Sequence, residues 1–386
     1  MEPMYVCNCG MTCQGRKSVL LEGEALDEMV QDTLDAIEYA IGSKESKWGR
    51  LRASMGHPEP FKMTYLEIGN ENWGPDYEKR YNMIYKKVNE LYPQIKTIAN
   101  EHVEKNGCPA GCVDEHFYNT TEFFAERVNY YDDYDRKGPK IFVGEVAVNE
   151  GNYMGQLYAA LGEAAFLMGI EKNQDIVTLA SYAPLFENVN YRAWYPNLIR
   201  FNNHQSLGIP TYYVWKMFGQ NRGEYVVRSE DEGGQCSLEE FGYMHDNKLT
   251  EDFAISVKPG EYHRFGYETD GKQIRLYVDG ELQKEISIPY GPAFVSVVTD
   301  TKDEIIIKAV NFAGDVDPVS ITLDCQVQSD YTVTLLSGEK GDENSFEEPE
   351  KVKNITVNMH GASSEFVYEA PPYSVSVLRL KKCEAF

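Results

Sequence analysis

The chain has 386 residues, 42% of them hydrophobic, enough for two ordinary domains or for one large domain carrying a smaller one. Its 37 Lys and Arg against 61 Asp and Glu leave a formal net charge of -24, which argues against nucleic acid and against an anionic membrane as partners, because both are polyanions held through basic patches. A neutral ligand such as a sugar suits this charge better, and no apolar run approaches the roughly 18 residues needed to span a bilayer.

From Met1 to about Arg222, short apolar runs alternate with helical patterns, as expected of βα units on a parallel sheet. The strand candidates are PMYVCN from Pro3, MTYLEI from Met63, IKTIA from Ile95, CVDEHF from Cys112, KIFVGEV from Lys140 and DIVTLASY from Asp175. Between the first two, Leu26, Met29, Val30, Leu34, Ile37 and Ile41 fall at helical spacing over 25–41, and Tyr81, Ile84, Tyr85, Val88 and Leu91 do the same after the second. Further helices are expected from Leu157 to Ile170 and from Tyr212 to Phe218. After about Gly223 the helical period gives way to alternating runs, IRLYV, FVSVV, EIIIKAV, VSITL, YTVTLL, NITVNM and YSVSVLRL, broken by Asp-Gly, Asn and Pro turns. These predict an antiparallel β-sandwich over 223–386 after a catalytic domain over 1–222, with no low-complexity linker between them. Two Asp-Gly pairs, at Asp270 and Asp279, mark hairpins in a stretch near 228–290 that resembles part of a laminin-G-like sandwich and reads as a structural insertion.

Cysteines at 7, 9 and 13 and at 108 and 112 invite a zinc reading, but their spacings, C-x-C-x3-C and C-x3-C, lack the usual C-x2-C knuckle. Buried free thiols are the preferred reading; they suggest a reducing compartment, hence a cytoplasmic location.

Two carboxylates stand out. LEIGNENWG ends the second strand with Glu71 just after an Asn, and KIFVGEVAV places Glu145 at the end of a run that should be buried on both faces. Each alone is equally an ordinary polar residue closing a strand. Together they supply what glycoside hydrolysis needs, a protonated carboxyl for the leaving oxygen and an ionised one for the anomeric carbon.

The strings MYVCNCGMTCQGRKS, SKWGRLRASMGHPEPF, YLEIGNENWGPDYEKRY, VDEHFY and IFVGEVAV resemble the family fifty-one α-L-arabinofuranosidases of glycoside hydrolase clan A, in order from Met1 to about Asn221 and more loosely beyond. That resemblance implies a TIM (β/α)8 barrel followed by the sandwich, with the acid/base on the fourth barrel strand and the nucleophile on the seventh. The strand count here puts the two glutamates on the second and fifth, so the chain is expected to carry barrel strands three to eight and to lack the first two. Exposed sheet edges at such a gap should leave it poorly soluble or weakly active until a segment supplying those strands is added. The resemblance further implies Glu71 as acid/base, Glu145 as nucleophile, Asn70 on the 2-hydroxyl of the arabinosyl unit, His116 and Tyr118 lining the site with the Tyr118 hydroxyl on the nucleophile, and no metal or other cofactor. Trp194 is a candidate for stacking on a sugar face, with core packing equally open to it; for Trp73 core packing is favoured. Arabinose-containing polysaccharides or oligosaccharides are the implied substrates, and homo-oligomers are common in the resembled family. Alternatives are another clan A retaining glycosidase such as a β-xylosidase, or an inactive, at most sugar-binding, fragment.

Overall fold

The computed structural model describes residues 2–12, 19–229, 235–237, 262–269, 273–287 and 290–383, so the readings at Cys13 and Asp270 lie outside the described residues. Contacts divide the chain into two compact units: Met1–His116 with Tyr134–Gly144 and Asp175–Ala180, and Phe117–Asp133 with Glu145–Gln174 and Ser181–Phe386.

In the first unit all six apolar runs become strands: β1 (Tyr5–Cys7), β2 (Tyr65–Ile68), β3 (Lys96–Ala99), β4 (Cys112–Asn119), β5 (Lys140–Val148) and β6 (Val177–Ala180). They lie side by side in chain order in one sheet, with parallel pairing between β1 and β2, β2 and β3, β3 and β4, and β5 and β6. The last residues of β4 and β5 run on into the second unit. Helices α1 (Glu24–Ile41), α2 (Lys47–Ser54) and α3 (Pro75–Leu91) make the connections before β2 and β3. The expected stripes bury Val30, Leu34 and Ile37 of α1 and Tyr81, Ile84 and Val88 of α3 in one core with Cys7, Cys9, Leu66, Ile68 and Ala99. Leu91, counted in that stripe, is exposed at the end of α3, where the helix leaves the core. α3 starts earlier than its apolar period shows, because Pro75 at its first turn has its φ preset and no N–H to satisfy; the extra turn buries Tyr77.

Helix α2 was not legible as an apolar stripe. Ser46 caps it by accepting from Gly49 N, and its Arg52 is fully buried, donating to the carbonyls of Tyr39, Ala40, His57 and Pro58. A guanidinium has five donors, and here four carbonyls left over at helix ends and turns receive them.

The second unit contains α4 (Thr121–Ala125), α5 (Leu157–Lys172) and α6 (Pro210–Gln220); among its described residues, the elements that follow α6 are all strands. β7 (Phe186–Asn188), β8 (Ile199–Phe201) and β9 (Ser206–Gly208), absent from the sequence reading, form a small mixed sheet before α6. The remaining strands are β10 (Tyr225–Val227), β11 (Gln235–Ser237), β12 (Phe265–Thr269), β13 (Gln273–Val278), β14 (Glu281–Ser287), β15 (Tyr290–Pro292), β16 (Phe294–Asp300), β17 (Glu304–Asn311), β18 (Asp317–Thr322), β19 (Val327–Ser337), β20 (Ile355–His360), β21 (Glu365–Ala370) and β22 (Ser374–Lys382). One sheet has the order β10-β16-β17-β22-β19-β20, and β18 pairs with β21. Ile305, Ile307, Tyr331, Val333, Leu378 and Leu380 of the large sheet share a core with Tyr368, Val319, Ile321 and Phe366 of the β18–β21 pair, which is the expected sandwich. β12, β13 and β14 form a separate antiparallel sheet whose second turn, Asp279-Gly280, has both residues at positive φ, as the Asp-Gly signal requires.

β17 is buried along nearly its whole length because its second face meets α5, itself buried on all sides. This explains why EIIIKAV does not alternate with polar residues. Its cation, Lys308, is fully buried and lies 2.6 Å from Glu171 of α5. Burial lowers the Lys308 pKa, and Glu171 opposes the shift. Removing one partner of such a pair leaves an uncompensated charge, so Glu171→Ala should cost about 3–5 kcal/mol of stability. The double replacement Lys308→Met with Glu171→Leu should cost far less; urea unfolding followed by circular dichroism compares them, and equal losses would mean that volume, not charge, matters here.

Candidate active site

In the first unit, β2 ends at Ile68 and the chain turns sharply through Gly69, Asn70 and Glu71. Gly69 has φ 86 and donates its N–H to the Cys7 carbonyl; a Cβ there would lie 2.8 Å from Asn100 Oδ1 and 3.0 Å from Asn72 Oδ1. Glu71 itself has φ 51, a left-handed conformation that costs a side-chain-bearing residue of order 1–3 kcal/mol and persists only where its surroundings impose it. Those surroundings are Asn72 and Asn100. Buried Asn72 accepts from Asn70 N and from the Cys9 thiol and donates to Thr12 O, while Asn100 accepts from Asn72 N. The outcome is a Glu71 side chain held at 42% exposure at the carboxyl end of the strand.

Around Glu71 the first unit builds inward. Asp114, His116 and Tyr118 recur at every second residue of β4, so they share one face. His116 Nδ1 is 3.0 Å from Glu71 Oε1 and its Nε2 is 2.7 Å from Asp114 Oδ2. Gly144 N donates to Asp114 Oδ1 at 2.9 Å, an approach that needs glycine, since a Cβ at 144 would fall 2.1 Å from that oxygen. Glu67, 3% exposed on β2, accepts from Asn100 Nδ2 at 2.9 Å and is hydrogen-bonded to Asp114. Burial, then the Asp114 charge, push the Glu67 pKa up to about 9, against a smaller opposing effect of His116.

In the second unit, Glu145 follows Gly144 on β5. The Tyr118 hydroxyl donates to its Oε2 at 2.5 Å, a bond that fixes the orientation of the carboxyl group. Trp194 meets Tyr118 edge to face at 5.5 Å and remains 45% exposed, so core contact and a free stacking surface each describe it in part. Near the end of β5, Val148 N donates to Glu163 Oε1 at 2.6 Å, and complete burial raises the Glu163 pKa to about 7.

The structure thus joins Glu71 to His116 and Glu145 to Tyr118 and Trp194 within their respective units, and leaves Asn70 exposed beside Glu71. Trp73 corrects the sequence reading: it is 52% exposed rather than packed in a core. Cys7 and Cys9 are buried, and burial raises their pKa values to about 12 and about 11, so they stand as thiols. Glu67 and Asp114 were missed. The period-two run of Asp114, His116 and Tyr118 could have revealed Asp114, whereas nothing local marks Glu67.

A glutamate just past the end of one strand, beside an imidazole, and another within a strand, under a phenol, are the groups with which glycoside hydrolases work. A family model described as an α-L-arabinofuranosidase 1 domain matches residues 1–136, and one described as an α-L-arabinofuranosidase C-terminal domain matches residues 134–374. The chain belongs to the α-L-arabinofuranosidase family. It is 33% identical to α-L-arabinofuranosidase 1 of Arabidopsis thaliana, over 98% of this chain and 49% of that protein. It is 40% identical to an extracellular exo-α-L-arabinofuranosidase of Streptomyces chartreusis, over 59% of this chain and 29% of that one. The chain therefore spans about half the length of the Arabidopsis relative, and less of the other. An arabinose-bound family 51 α-L-arabinofuranosidase superposes with a TM-score of 0.76 at 25% identity, covering 99% of this chain and 55% of that one. The fold also matches that of an α-L-arabinofuranosidase from Thermotoga maritima, with a TM-score of 0.66 at 19% identity over 91% of this chain and 73% of that one.

Two outcomes test the local geometry. Gly69→Ala should destabilise the protein by at least about 1 kcal/mol, from strain at positive φ and the collision with Asn100, read as a lower melting temperature. Glu67 binds its proton more tightly in the folded chain, about 9 against an ordinary 4.5, so this group's stabilising contribution is complete below about 4.5 and is lost as pH rises towards 9. Glu67→Gln cannot ionise. Its melting temperature relative to the native protein should therefore climb from pH 5 to pH 9, and a flat difference would contradict a raised Glu67 pKa.

Proposed function

We propose that the protein is a retaining, exo-acting α-L-arabinofuranosidase, with Glu145 as nucleophile and Glu71 as acid/base, removing terminal α-L-arabinofuranosyl groups from arabinan, arabinoxylan or arabino-oligosaccharides. The observation that carries the reading is the Tyr118–Glu145 hydrogen bond, because a carboxyl group that accepts from a phenol and is aimed by it is oriented as a nucleophile rather than as a proton donor. Glu71, exposed and in contact with an imidazole, has what a proton donor and acceptor needs.

In this reading Glu145 attacks the anomeric carbon while Glu71 protonates the departing oxygen, leaving an arabinosyl ester on Glu145. Glu71, now a carboxylate, takes a proton from the water that hydrolyses the ester, and both groups return to their starting states. Asn70 holds the 2-hydroxyl, and the exposed Trp194 face offers apolar area to the sugar. The names of the relatives support arabinofuranosyl groups as substrate.

In the active protein, Glu145→Ala should abolish hydrolysis of an aryl arabinofuranoside. Glu71→Ala should slow substrates with poor leaving groups by about 10²-fold or more while sparing good ones, which need little protonation; equal losses for both would contradict the role of Glu71. Nuclear magnetic resonance of the first product should show the α-anomer before mutarotation. Appearance of the β-anomer first would replace the covalent mechanism by an inverting one.

A further inference from the structure

Behind Glu71 lies a line of polar side chains that two-carboxylate chemistry does not by itself require. It runs from Glu71, whose side chain is 42% exposed, through His116 and Asp114 to the buried Glu67 and its partner Asn100. The donors along it assign the protons. Asp114 receives Gly144 N–H on one oxygen and faces His116 Nε2 with the other, where a ring N–H would find an acceptor. Glu67 accepts one amide bond from Asn100 and is left to donate to Asp114. Two buried carboxyl groups in hydrogen-bond contact cannot both ionise, and one shared proton resolves the repulsion.

We propose that Glu67 and Asp114 form a one-proton pair, Glu67 neutral and Asp114 ionised, whose single charge holds His116 with Nε2–H towards Asp114 and Nδ1 towards Glu71, making both acids positioning residues for the acid/base. This rests on the reading of Glu71 given above. With Nε2 committed to Asp114, the Glu71–His116 couple holds one exchangeable proton, on the carboxyl or on Nδ1. Proton donation to the departing oxygen forms an O–H bond there and leaves the couple with a carboxylate and a neutral ring; the attacking water later returns one proton. The Asp114 charge tightens the couple's hold on that proton, so the charge on the pair sets the pH at which the acid is lost. The titratable groups facing Glu67 in its unit include Asp114 and His116 of β4 and Tyr77 of α3, and those within reach of His116 include Asp114, Glu71 and Glu145. Burial raises the Tyr77 pKa, which keeps that phenol neutral.

Two measurements without substrate test the pair directly. Infrared spectra at pH 7 should show a protonated-carboxyl stretch in the native protein that Glu67→Gln removes. Nitrogen-15 spectra, with His116 assigned by its loss in His116→Gln, should show Nε2 protonated in the native protein and altered in Asp114→Asn. If Glu67→Gln removes no such stretch, the proposal is overturned. The third measurement is the alkaline limb of kcat/KM for an arabinofuranoside with a poor leaving group. Asp114→Asn should move it down by about 1–3 pH units, whereas Glu67→Gln, one neutral group replacing another, should leave it in place. An equal shift in both variants would mean that Glu67 carries charge, which also overturns the proposal. Cleavage of poor leaving groups that survives Glu71→Ala, with the carboxyl stretch still lost in Glu67→Gln, would count against the catalytic role of Glu71 while sustaining the pair.

Discussion

A strand buried on both faces has no room for a solvated charge until it emerges from the sheet's interior, and this constraint organises the first unit. β2 is buried over its last three residues and β5 in two runs that flank Gly144 and Glu145, so both glutamates come where burial relaxes. Glu71 follows the last strand residue by a turn, and Glu145 sits at the partly buried break between the two buried runs of β5. The charged groups that remain inside the sheet are admitted only as partners. Glu67 and Asp114 share hydrogen bonds with each other, with Asn100, with His116 and with the Gly144 amide.

That arrangement costs backbone strain and offsets it with local hydrogen bonds. Glu71 occupies a conformation a glycine would take more readily, and Asn72 and Asn100 hold it there through four bonds to the turn, the Cys9 thiol and the Thr12 carbonyl. The Asn-Glu-Asn string thus carries two functions: Asn70 is left exposed to solvent, whereas Asn72 faces inward and builds the turn. The same economy appears at Gly144, where the absence of a side chain lets Asp114 reach the β5 backbone one residue before Glu145.

In the second unit an ion pair plays the corresponding part. Lys308 stands between apolar residues of β17, and its enclosure is tolerable only because Glu171 of α5 meets it and the Phe218 ring lies 5.4 Å from its ammonium. The helix that follows β5 is therefore tied to the sandwich by charge as well as by apolar contact.

Much of this was decided by local pattern alone. The six strands of the first sheet, the stripes of α1 and α3, six of the seven alternating runs as sandwich strands, with IRLYV going to the separate β12–β14 sheet, and the Asp279 hairpin follow from hydrophobic period and turn chemistry, which act over a few residues and so can be read from a few residues. Glu71 and Glu145 were legible for the same reason, each closing an apolar strand with a carboxylate. What only the tertiary structure decided are the partnerships across the chain: Glu67 with Asp114, Lys308 with Glu171, Arg52 with four carbonyls, and the exposure of Trp73. Helix α2 and strands β7 to β9 belong with these, since they are too short to show a period and are held by caps and neighbours. Sequence period shows that a side chain faces inward; whether the group waiting there is a methyl, a carbonyl or an opposite charge depends on residues tens of positions away, brought alongside only when the sheet assembles.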